Sequence, residues 1–415
     1  MNKPICLMHF SDVHFGVENY GRFDPQTGLN TRLIDFRDAL ISAIDKALEA
    51  GVEIALFTGD AYKTRDPSQT HQREFAACIR RLTEQGVPVV LLAGNHDVPN
   101  TRGRANAIEI FAALAGDIVH VMDRPQVKRI TTRGGSTVQI AGLPYLTKSS
   151  QIARGDASEM GVADTTDAVV KKYSAVIASL VRECREEPDL PTVLMGHFSV
   201  TNATIGATQA SYLTNEPQVP IGDLATPDFD YVALGHIHKF QDLNRGHHPP
   251  VVYCGSIERI DFGERNEAKG CVLVDLSRGN APYRFVEGNA RPFIEIDVDL
   301  TRGEGDPTNR VLEAIVAKDI RSAIVKLTYR INSADAPLLR EPEIRAALSD
   351  AFLVVSIHKD VVRDDTRDRS RVLRESLDPI AALGSYIDTR ETLRPRKEEL
   401  LALARALAAE GSEPA

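Results

Sequence analysis

Up to Ala290 the chain alternates short apolar runs with longer segments of helical periodicity. The apolar runs predict buried strands at Ile5–Phe10, Ile54–Thr58, Val89–Ala93, Val138–Ala141, Val193–Met195 and Tyr231–Leu234. The periodic segments predict helices over Leu33–Ala50, Ser68–Gln85, Ala105–Ala115 and Thr165–Cys184. The segment Val251–Leu276 is predicted to form two strands of a hairpin. Because strands alternate with helices, the expected fold class is α/β with buried sheets.

The pattern changes near Ala290 and predicts a second, smaller domain. Strand and helix patterns alternate there, beginning and ending with a strand, over Pro292–Leu300, Thr308–Lys318, Ala323–Ile331, Glu341–Leu348 and Phe352–Lys359. A charged run at Val362–Arg371 is typical of a solvated linker. We therefore expect one domain at residues 1–288 and another at 289–361, followed by a linker and helices at 362–415.

Two helices are predicted after this linker. Asp378 and Pro379 are a favourable helix start, because the carboxylate can cap the helix and proline suits its first turn. The last segment, Arg396–Glu410, carries three leucines on one face, namely Leu400, Leu403 and Leu407. An apolar face this far along the chain from a core favours docking to a partner protein. Packing of the same face against its own domain stays open as an alternative.

Length, charge and cysteine content narrow the class of protein. A chain of 415 residues is too long for one ordinary domain, and we find no apolar run long enough to span a membrane. The five cysteines are scattered and odd in number, which favours reduced thiols in a cytoplasmic protein over disulfides or a zinc ribbon. A net charge of −9 is unusual for a nucleic-acid enzyme, unless metal ions or a partner subunit supply the positive field.

Five of the apolar runs end in residues that can bind metal ions. The endings are Asp12 and His14; Gly59 and Asp60; Gly94, Asn95, His96 and Asp97; Gly196 and His197; and Gly235, His236 and His238. Any single Gly-Asp or Gly-His pair is a common turn. In α/β proteins, however, functional groups gather beyond the carboxyl ends of strands, so five such endings need one explanation. We therefore predict that these side chains meet at one site.

The ligand types indicate a pair of metal ions. Carboxylate, imidazole and amide donors without cysteine suit manganese, iron or magnesium-like ions better than a structural zinc ion. The Asp60 carboxylate can bridge two cations, and two ions about 3.5–4 Å apart can bind the attacking and leaving oxygens of a phosphate ester. His96 is predicted to protonate the leaving oxygen, while Asp97 orients the His96 imidazole.

Several stretches of the chain resemble the calcineurin-like metallophosphoesterases and, more narrowly, the SbcD-type DNA double-strand-break repair nucleases. These stretches are FSDVHFG, LAGNHD, GHFSV, FDYVALGHIHK and YCGSIERIDFGERNEAKG, and the resemblance covers most of residues 1–276. It implies an αββα sandwich, a small α/β capping domain at 289–361, and C-terminal helices that dock on an SbcC-type ABC ATPase. It also implies a manganese-dependent nuclease, with 3′→5′ exonuclease activity on duplex DNA and endonuclease activity on single strands.

The resemblance assigns roles to individual residues. It implies that one ion is held by Asp12, His14, Asp60 and His238, that the other is held by Asp60, Asn95, His197 and His236, and that His96 is catalytic. The helices at Ser68–Gln85 and Arg104–Ala115 resemble those of a dimer bundle. Lys63 stands where archaeal and eukaryotic relatives have a histidine. Lys63 either supplies a positive charge that contacts phosphate or is an ordinary solvated side chain, and the sequence favours neither interpretation over the other.

Further DNA contacts and two rival functions also stay open. Arg102 and Arg104 closely follow the GNHD motif, so they either grip phosphate or supply ordinary surface charge. One rival function is a stand-alone phosphoesterase for small phosphodiesters or phosphoproteins, which has no need of the stretch at 253–270 or of the terminal helices. The other rival is a non-catalytic scaffold for DNA ends, which has no need of His96.

Overall fold

The computed structural model of the chain describes residues 3–99, 104–146, 162–213, 216–303, 305–362, 379–388, 390 and 392–410. Its strands are β1 (Ile5–Phe10), β2 (Ile54–Phe57), β3 (Val89–Leu92), β4 (Val119–Met122), β5 (Gln126–Thr131), β6 (Thr137–Leu143), β7 (Thr192–His197), β8 (Tyr231–Gly235), β9 (Gln241–Asp242), β10 (Val251–Tyr253), β11 (Gly270–Leu276), β12 (Tyr283–Glu287), β13 (Phe293–Asp299), β14 (Ile324–Asn332) and β15 (Leu353–Val362). Its α-helices are α1 (Thr31–Glu49), α2 (Gln69–Thr83), α3 (Glu109–Ala115), α4 (Val162–Cys184), α5 (Ala207–Leu213), α6 (Ile221–Leu224), α7 (Pro307–Val316), α8 (Glu341–Ala347), α9 (Pro379–Asp388) and α10 (Lys397–Glu410).

Two six-stranded sheets build the amino-terminal part of the fold. The first has the order β12-β11-β1-β2-β3-β4, and the second has the order β5-β6-β7-β8-β10-β9. The strands from β1 to β4 run parallel to one another, as do β6, β7, β8 and β10. All of the strands predicted before residue 240 are present with bounds within a few residues of those expected.

The sheets face each other across a shared apolar core, and helices cover their outer faces. Leu7 and Leu56 of the first sheet lie in the same buried cluster as Val193 and Ala233 of the second. The alternate residue Met8 points the other way, into the cluster that contains the α1 and α2 side chains. Side chains of α4 pack on the outer face of the second sheet. The four layers form the αββα sandwich that was predicted, and both faces of each central strand are apolar because both are buried.

The predicted hairpin over Val251–Leu276 is wrong. β10 pairs parallel with β8 in the second sheet, whereas β11 pairs antiparallel with β1 and β12 in the first. Hairpin connections usually hold about two to five residues, and the connection over residues 254–269 is too long to hold two strands in one register. The short elements β4, β5, β9, β12, α5 and α6 were not predicted either.

The chain divides into two compact units. The first comprises Met1–Glu295, Lys318–Lys326 and Asp350–Val355, and the second comprises Ile296–Ala317, Leu327–Ser349 and Ser356–Ala415. The division runs through the strands of a three-stranded sheet with the order β13-β14-β15. The predicted boundaries at 288 and 361 therefore stay a prediction.

The carboxyl-terminal elements follow the predicted order. α7 packs against α8, and α9 packs against α10. Asp306 caps α7 by accepting hydrogen bonds from Thr308 N at 2.8 Å and Asn309 N at 3.1 Å. The predicted linker beyond Val362 and the capping role of Asp378 lie outside the described residues. Among the described helices, none combines the length and the apolar character needed to cross a membrane.

Candidate metal centre

The predicted ligand residues follow the carboxyl ends of parallel strands from both sheets. Asp12 and His14 follow β1, Asp60 follows β2 and Asn95 follows β3 in the first sheet. In the second sheet, His197 ends β7, and His236 and His238 follow β8. Because parallel strands that begin at one edge end at the same edge, the two sheets bring all of these side chains to one place.

A first ligand group is formed by Asp12, His14 and His238, whose side chains are all buried. The Nε2 atoms of His14 and His238 lie 3.0 Å apart. Asp12 Oδ1 lies 3.7 Å from His14 Nε2 and 3.8 Å from His238 Nε2. One nitrogen or oxygen atom from each residue falls within 4.8 Å of the others, so a single cation can contact all three.

A second ligand group is formed by Asn95, His197 and His236. Asn95 Oδ1 lies 3.0 Å from His197 Nε2 and 3.0 Å from His236 Nδ1. The two histidines therefore direct different ring nitrogens to the same amide oxygen. Both rings are buried, at no more than 4% exposure, whereas Asn95 is partly exposed.

The Asp60 carboxylate lies between the two ligand groups. Its Oδ2 atom is 3.7 Å from His14 Nε2 and 3.4 Å from His197 Nε2. The same oxygen is 3.9 Å from His96 Nε2, and the Oδ1 atom accepts a hydrogen bond from His96 N at 2.8 Å. A carboxylate in this position can bind two cations at once, as the sequence predicts.

Four of the candidate ligands have left-handed backbone conformations. The φ angles are 52° at Asp12, 49° at His14, 61° at Asp60 and 94° at His236. Each such residue costs about 1–2 kcal/mol relative to ordinary backbone geometry. Strain of this kind is retained where it has a function, and here each strand turns sharply and directs its ligand toward the common centre.

Glycines beside the ligands allow neighbouring turns and side chains to approach closely. At Gly59, which has a φ of +104°, an added Cβ would lie 2.4 Å from His197 Nδ1. At Gly94, an added Cβ would lie 2.2 Å from Asp60 Oδ1. Any larger residue at either position would push a ligand away from the centre.

The His197 ring shows why this cluster fits a cation. Its Nδ1 atom donates to the Thr58 carbonyl oxygen at 2.6 Å, because a carbonyl oxygen can only accept. In the neutral ring Nε2 is then a lone pair, and it faces the oxygens of Asp60 and Asn95. The lone pair and these oxygens repel one another, and either a proton or a metal ion at Nε2 relieves the repulsion. The pKa of His197 shows the same preference, since burial opposes the charge but the Asp60 carboxylate raises the pKa to about 9.

The carboxylates are held in their charged form. Burial alone would raise the pKa of Asp12, but hydrogen bonding to His14 and the charges of His197 and His238 lower it to about 2. Burial would raise the pKa of Asp60 as well, but the nearby histidines, His197 most strongly, lower it well below its usual range. Burial lowers the pKa of His14, which favours a neutral ring with a free lone pair. Charged oxygens and neutral imidazoles are the states that bind metals.

A family model described as calcineurin-like phosphoesterase matches residues 7–240 of this chain. The chain belongs to the calcineurin-like phosphoesterase family. It is 28% identical over 298 residues to the DNA double-strand break repair protein Mre11 of Thermoplasma acidophilum, covering 70% of this chain and 68% of that protein. It is 25% identical over 287 residues to a subunit of the nuclease SbcCD of Escherichia coli, covering 66% of this chain and 65% of that protein. A solved dimetal phosphatase from Danio rerio covers 69% of this chain and 100% of its own, with 9% identity and a TM-score of 0.42.

In this phosphoesterase, Asp97 has a different place from the one predicted. Its Oδ2 atom accepts hydrogen bonds from Asp60 N at 2.8 Å and Gly94 N at 2.9 Å, and its Oδ1 atom accepts from Ala61 N at 3.1 Å. The His96 ring is oriented instead by the Lys63 carbonyl oxygen, 2.7 Å from Nδ1. The expectation that Asp97 orients His96 is therefore wrong, because the turns that carry Asp60 and Asn95 use its carboxylate to satisfy their backbone N–H groups.

Two of the predicted substrate contacts of the phosphoesterase, Lys63 and Arg104, are exposed. Lys63 has an exposed side chain, and its carbonyl contact with His96 does not depend on that side chain. Arg104 is exposed and forms an ion pair with Asp66 at 2.5 Å. Arg102 lies outside the described residues.

Two glutamates that were not predicted lie directly behind histidines of the centre. Glu216 Oε2 is 2.6 Å from His236 Nε2, and Glu264 Oε1 is 2.7 Å from His238 Nδ1. Glu264 belongs to the stretch at 253–270 that distinguishes the SbcD-type resemblance, so a signal for it was present. No comparable pattern surrounds Glu216, whose partner His236 follows the next strand, β8.

Proposed function

We propose that this phosphoesterase is a manganese-dependent DNA nuclease that processes DNA ends in double-strand-break repair. The expected activities are 3′→5′ exonuclease cleavage of duplex DNA and endonuclease cleavage of single strands. The observation that carries the proposal is the complete set of carboxylate, imidazole and amide ligands around Asp60. It is supported by two relatives, named a DNA double-strand break repair protein and a nuclease subunit, that share about two thirds of the chain.

The two ligand groups would each hold one divalent ion, with Asp60 shared between them. Asp12, His14 and His238 would complete the first site, and Asn95, His197 and His236 the second. When bound, the ions supply Lewis acidity that stabilises negative charge on the attacking and leaving oxygens. Oxygen and nitrogen donors without thiolate favour manganese over ions that prefer sulfur.

His96 would supply the proton for the leaving oxygen. Its Nδ1 proton is committed to the Lys63 carbonyl oxygen, so a second proton on the ring must sit on Nε2. Nε2 faces the Asp60 carboxylate at 3.9 Å. The side chain is 40% exposed, which leaves it open to a substrate above the centre. Proton transfer from an imidazolium in this position accelerates departure of the alkoxide.

DNA would contact Lys63, Arg102 and Arg104, the three residues predicted from the sequence to bind phosphate. Arginine can bind phosphate through two parallel hydrogen bonds, and Arg104 would exchange its exposed pairing with Asp66 for such a contact. Exposed pairs of this kind contribute little to stability, so the exchange costs little. A partner subunit would supply further positive charge, since the chain itself carries a net charge of −9.

The proposed partners are an SbcC-type ATPase and a second copy of the chain. In α10, Leu403 and Leu407 are 60% and 61% exposed, which is the apolar face expected to dock on the ATPase. In α3, Ile110 and Leu114 are 49% and 78% exposed, which supports a homodimer contact. The face of α2 that carries Phe75 is buried in the core instead. The role of residues 289–361 as a capping domain and the cytoplasmic location stay predictions.

The test compares three substrates in manganese buffer, with and without the partner ATPase. We expect linear duplex DNA labelled at its 3′ ends to lose the label before the rest of the strand is degraded. We expect circular single strands to be cut internally. Hydrolysis of a chromogenic diester without any DNA cleavage would instead indicate the stand-alone phosphoesterase. DNA binding without hydrolysis of any substrate would indicate the scaffold. The Asp60→Asn variant is the control for contaminating nuclease.

A further inference from the structure

Side chains from the stretch at 255–270 form a buried polar cluster directly behind His238. Its central residue, Glu264, ends a 3₁₀ turn over Phe262–Glu264 that is capped by Asp261, whose carboxylate accepts from Gly263 N at 2.7 Å. The Glu264 side chain is only 4% exposed. Its Oε1 atom accepts from His238 Nδ1 at 2.7 Å, and its Oε2 atom accepts from Ile260 N at 3.0 Å.

Lys269 completes this cluster from the other side of Glu264. Its side chain is fully buried, and its Nζ atom lies 2.9 Å from Glu264 Oε2. The same nitrogen contacts Glu267 Oε2 at 2.9 Å, Ser256 Oγ at 2.8 Å and the His238 carbonyl oxygen at 3.1 Å. A buried ammonium group needs nearby negative charge, so Lys269 and Glu264 hold each other in their charged forms.

The charge on Glu264 determines which nitrogen of His238 carries the proton. A carboxylate can only accept hydrogen bonds, so His238 Nδ1 must be the donor. In the neutral ring His238 Nε2 is then a lone pair, and it faces Asp12 Oδ1 at 3.8 Å and His14 Nε2 at 3.0 Å. The backbone is fixed as well, because His238 N donates to Gln209 Oε1 at 3.0 Å.

We propose that Glu264 and Lys269 are positioning residues that lock His238 in its Nδ1–H tautomer and so commit Nε2 to the first ligand group. Acceptors behind an imidazole ligand commonly set its tautomer and tune its metal affinity. The proposal rests on the metal assignment made under Proposed function, but it does not depend on which phosphate ester is the substrate. It also gives a role to a stretch that contains no residue of either ligand group.

The replacement Glu264→Gln tests the lock without removing the side chain. Lys269 and Ile260 N–H still require an oxygen, so the amide oxygen turns toward them and the amide NH₂ group faces His238. An NH₂ group cannot accept, and the ring must therefore shift its proton to Nε2. The matched control is Glu267→Gln, which removes the same charge beside Lys269 but lies away from the His238 ring.

The first measurement is the tautomer of the neutral His238 ring in the metal-free protein, read from long-range ¹H–¹⁵N spectra of histidine rings at a pH where this ring has lost its second proton. The His238 signals are identified by their loss in His238→Asn. We expect Nδ1–H in the wild type and in Glu267→Gln, and Nε2–H in Glu264→Gln. A wild-type His238 ring with its proton on Nε2 would overturn the proposal, even if the Glu264 variant did not fold.

The second measurement is manganese binding by calorimetry. We expect Glu264→Gln to weaken binding of one of two ions by about 10–100-fold and to leave the other unchanged, while Glu267→Gln leaves both unchanged. Equal binding by the wild type and Glu264→Gln would overturn the proposal. If the tautomer shifts as expected but the wild type cleaves no DNA, the positioning role stands and only the proposed nuclease function fails.

Discussion

The two ligand groups are supported in different ways. His238 of the first group is backed by Glu264 and Lys269, which are both buried. His236 of the second group is equally buried, but its supporting carboxylate, Glu216, is 23% exposed. Glu216 is held by Ser199 Oγ at 3.1 Å. A buried ion pair resists solvent and motion more than a partly exposed carboxylate does, so we expect the first group to hold its ion more tightly than the second.

His238 and His236 also present opposite ring nitrogens to the centre. His238 directs Nε2 to the centre and His236 directs Nδ1, because Glu264 lies behind the one nitrogen and Glu216 behind the other. Two histidines separated by a single residue can thus serve two neighbouring ions without competing for one position. The spacing places both rings at the centre, and the carboxylates behind them determine how each ring is used.

The largest expected effect is at the residue that both groups share. Asp60→Asn should lower phosphodiester hydrolysis by about 1,000-fold or more, because several kcal/mol of charge stabilisation depend on both ions. Calorimetry should show weakened binding of both ions. Normal binding of either ion in this variant would contradict a shared carboxylate, and circular dichroism checks that the variant is folded.

A second prediction concerns a residue that belongs to neither group. His96→Gln should lower kcat by about 100- to 10,000-fold, because a positioned general acid contributes on this scale. Binding of both ions should be unchanged, since the His96 ring is anchored through the Lys63 carbonyl. A loss of metal affinity as large as the loss of kcat would show that His96 is a ligand instead.

The third prediction sharpens the difference between the supports. Glu216→Gln should weaken only the ion of the second group, by about 10–100-fold, and leave the ion of the first group in place. Asp228→Asn is a charge-matched control, because Asp228 pairs with Arg185 outside the metal centre. If Glu216→Gln and Glu264→Gln weakened the same ion, the division into two groups would be wrong.

The smallest expected effect is a dependence of metal binding on pH. The raised pKa of His197, about 9, means that the metal-free ring carries a proton at pH 7, and a bound ion must displace this proton from Nε2. Affinity should therefore rise by up to about tenfold per pH unit below pH 9. Calorimetry in buffers of different ionisation enthalpy counts the released proton. Affinity that stays constant between pH 7 and 9 would contradict this assignment.

The strands that carry the ligands could be predicted from the sequence because their signals are local. β1, β2 and β3 are continuous apolar runs, which is what burial on both faces requires. The ligand residues follow these runs directly, so one principle about the carboxyl ends of strands was enough to predict that they meet. The sheets that the strands of Val251–Leu276 join could not be predicted in this way, since strand pairing depends on partners far along the chain.

The roles of supporting residues show the same limit. Asp97 lies beside His96 in the sequence, but its carboxylate binds the backbone of the turn that follows β2. Glu216 and Glu264 lie 20 and 26 residues from the histidines that they contact. Neither distance follows a local period of a helix or a strand, so no pattern in the sequence could assign these contacts.

The sequence by itself determined the α/β class, the strands that end in ligands, and the chemical types of those ligands, because periodicity and residue type are local properties. The tertiary structure alone decided the left-handed turns at Asp12, His14, Asp60 and His236, and the acceptor behind each imidazole. These features depend on groups brought together from separate segments of the chain. Hydrogen-bond direction is set by which atoms meet in space, and that depends on the whole fold.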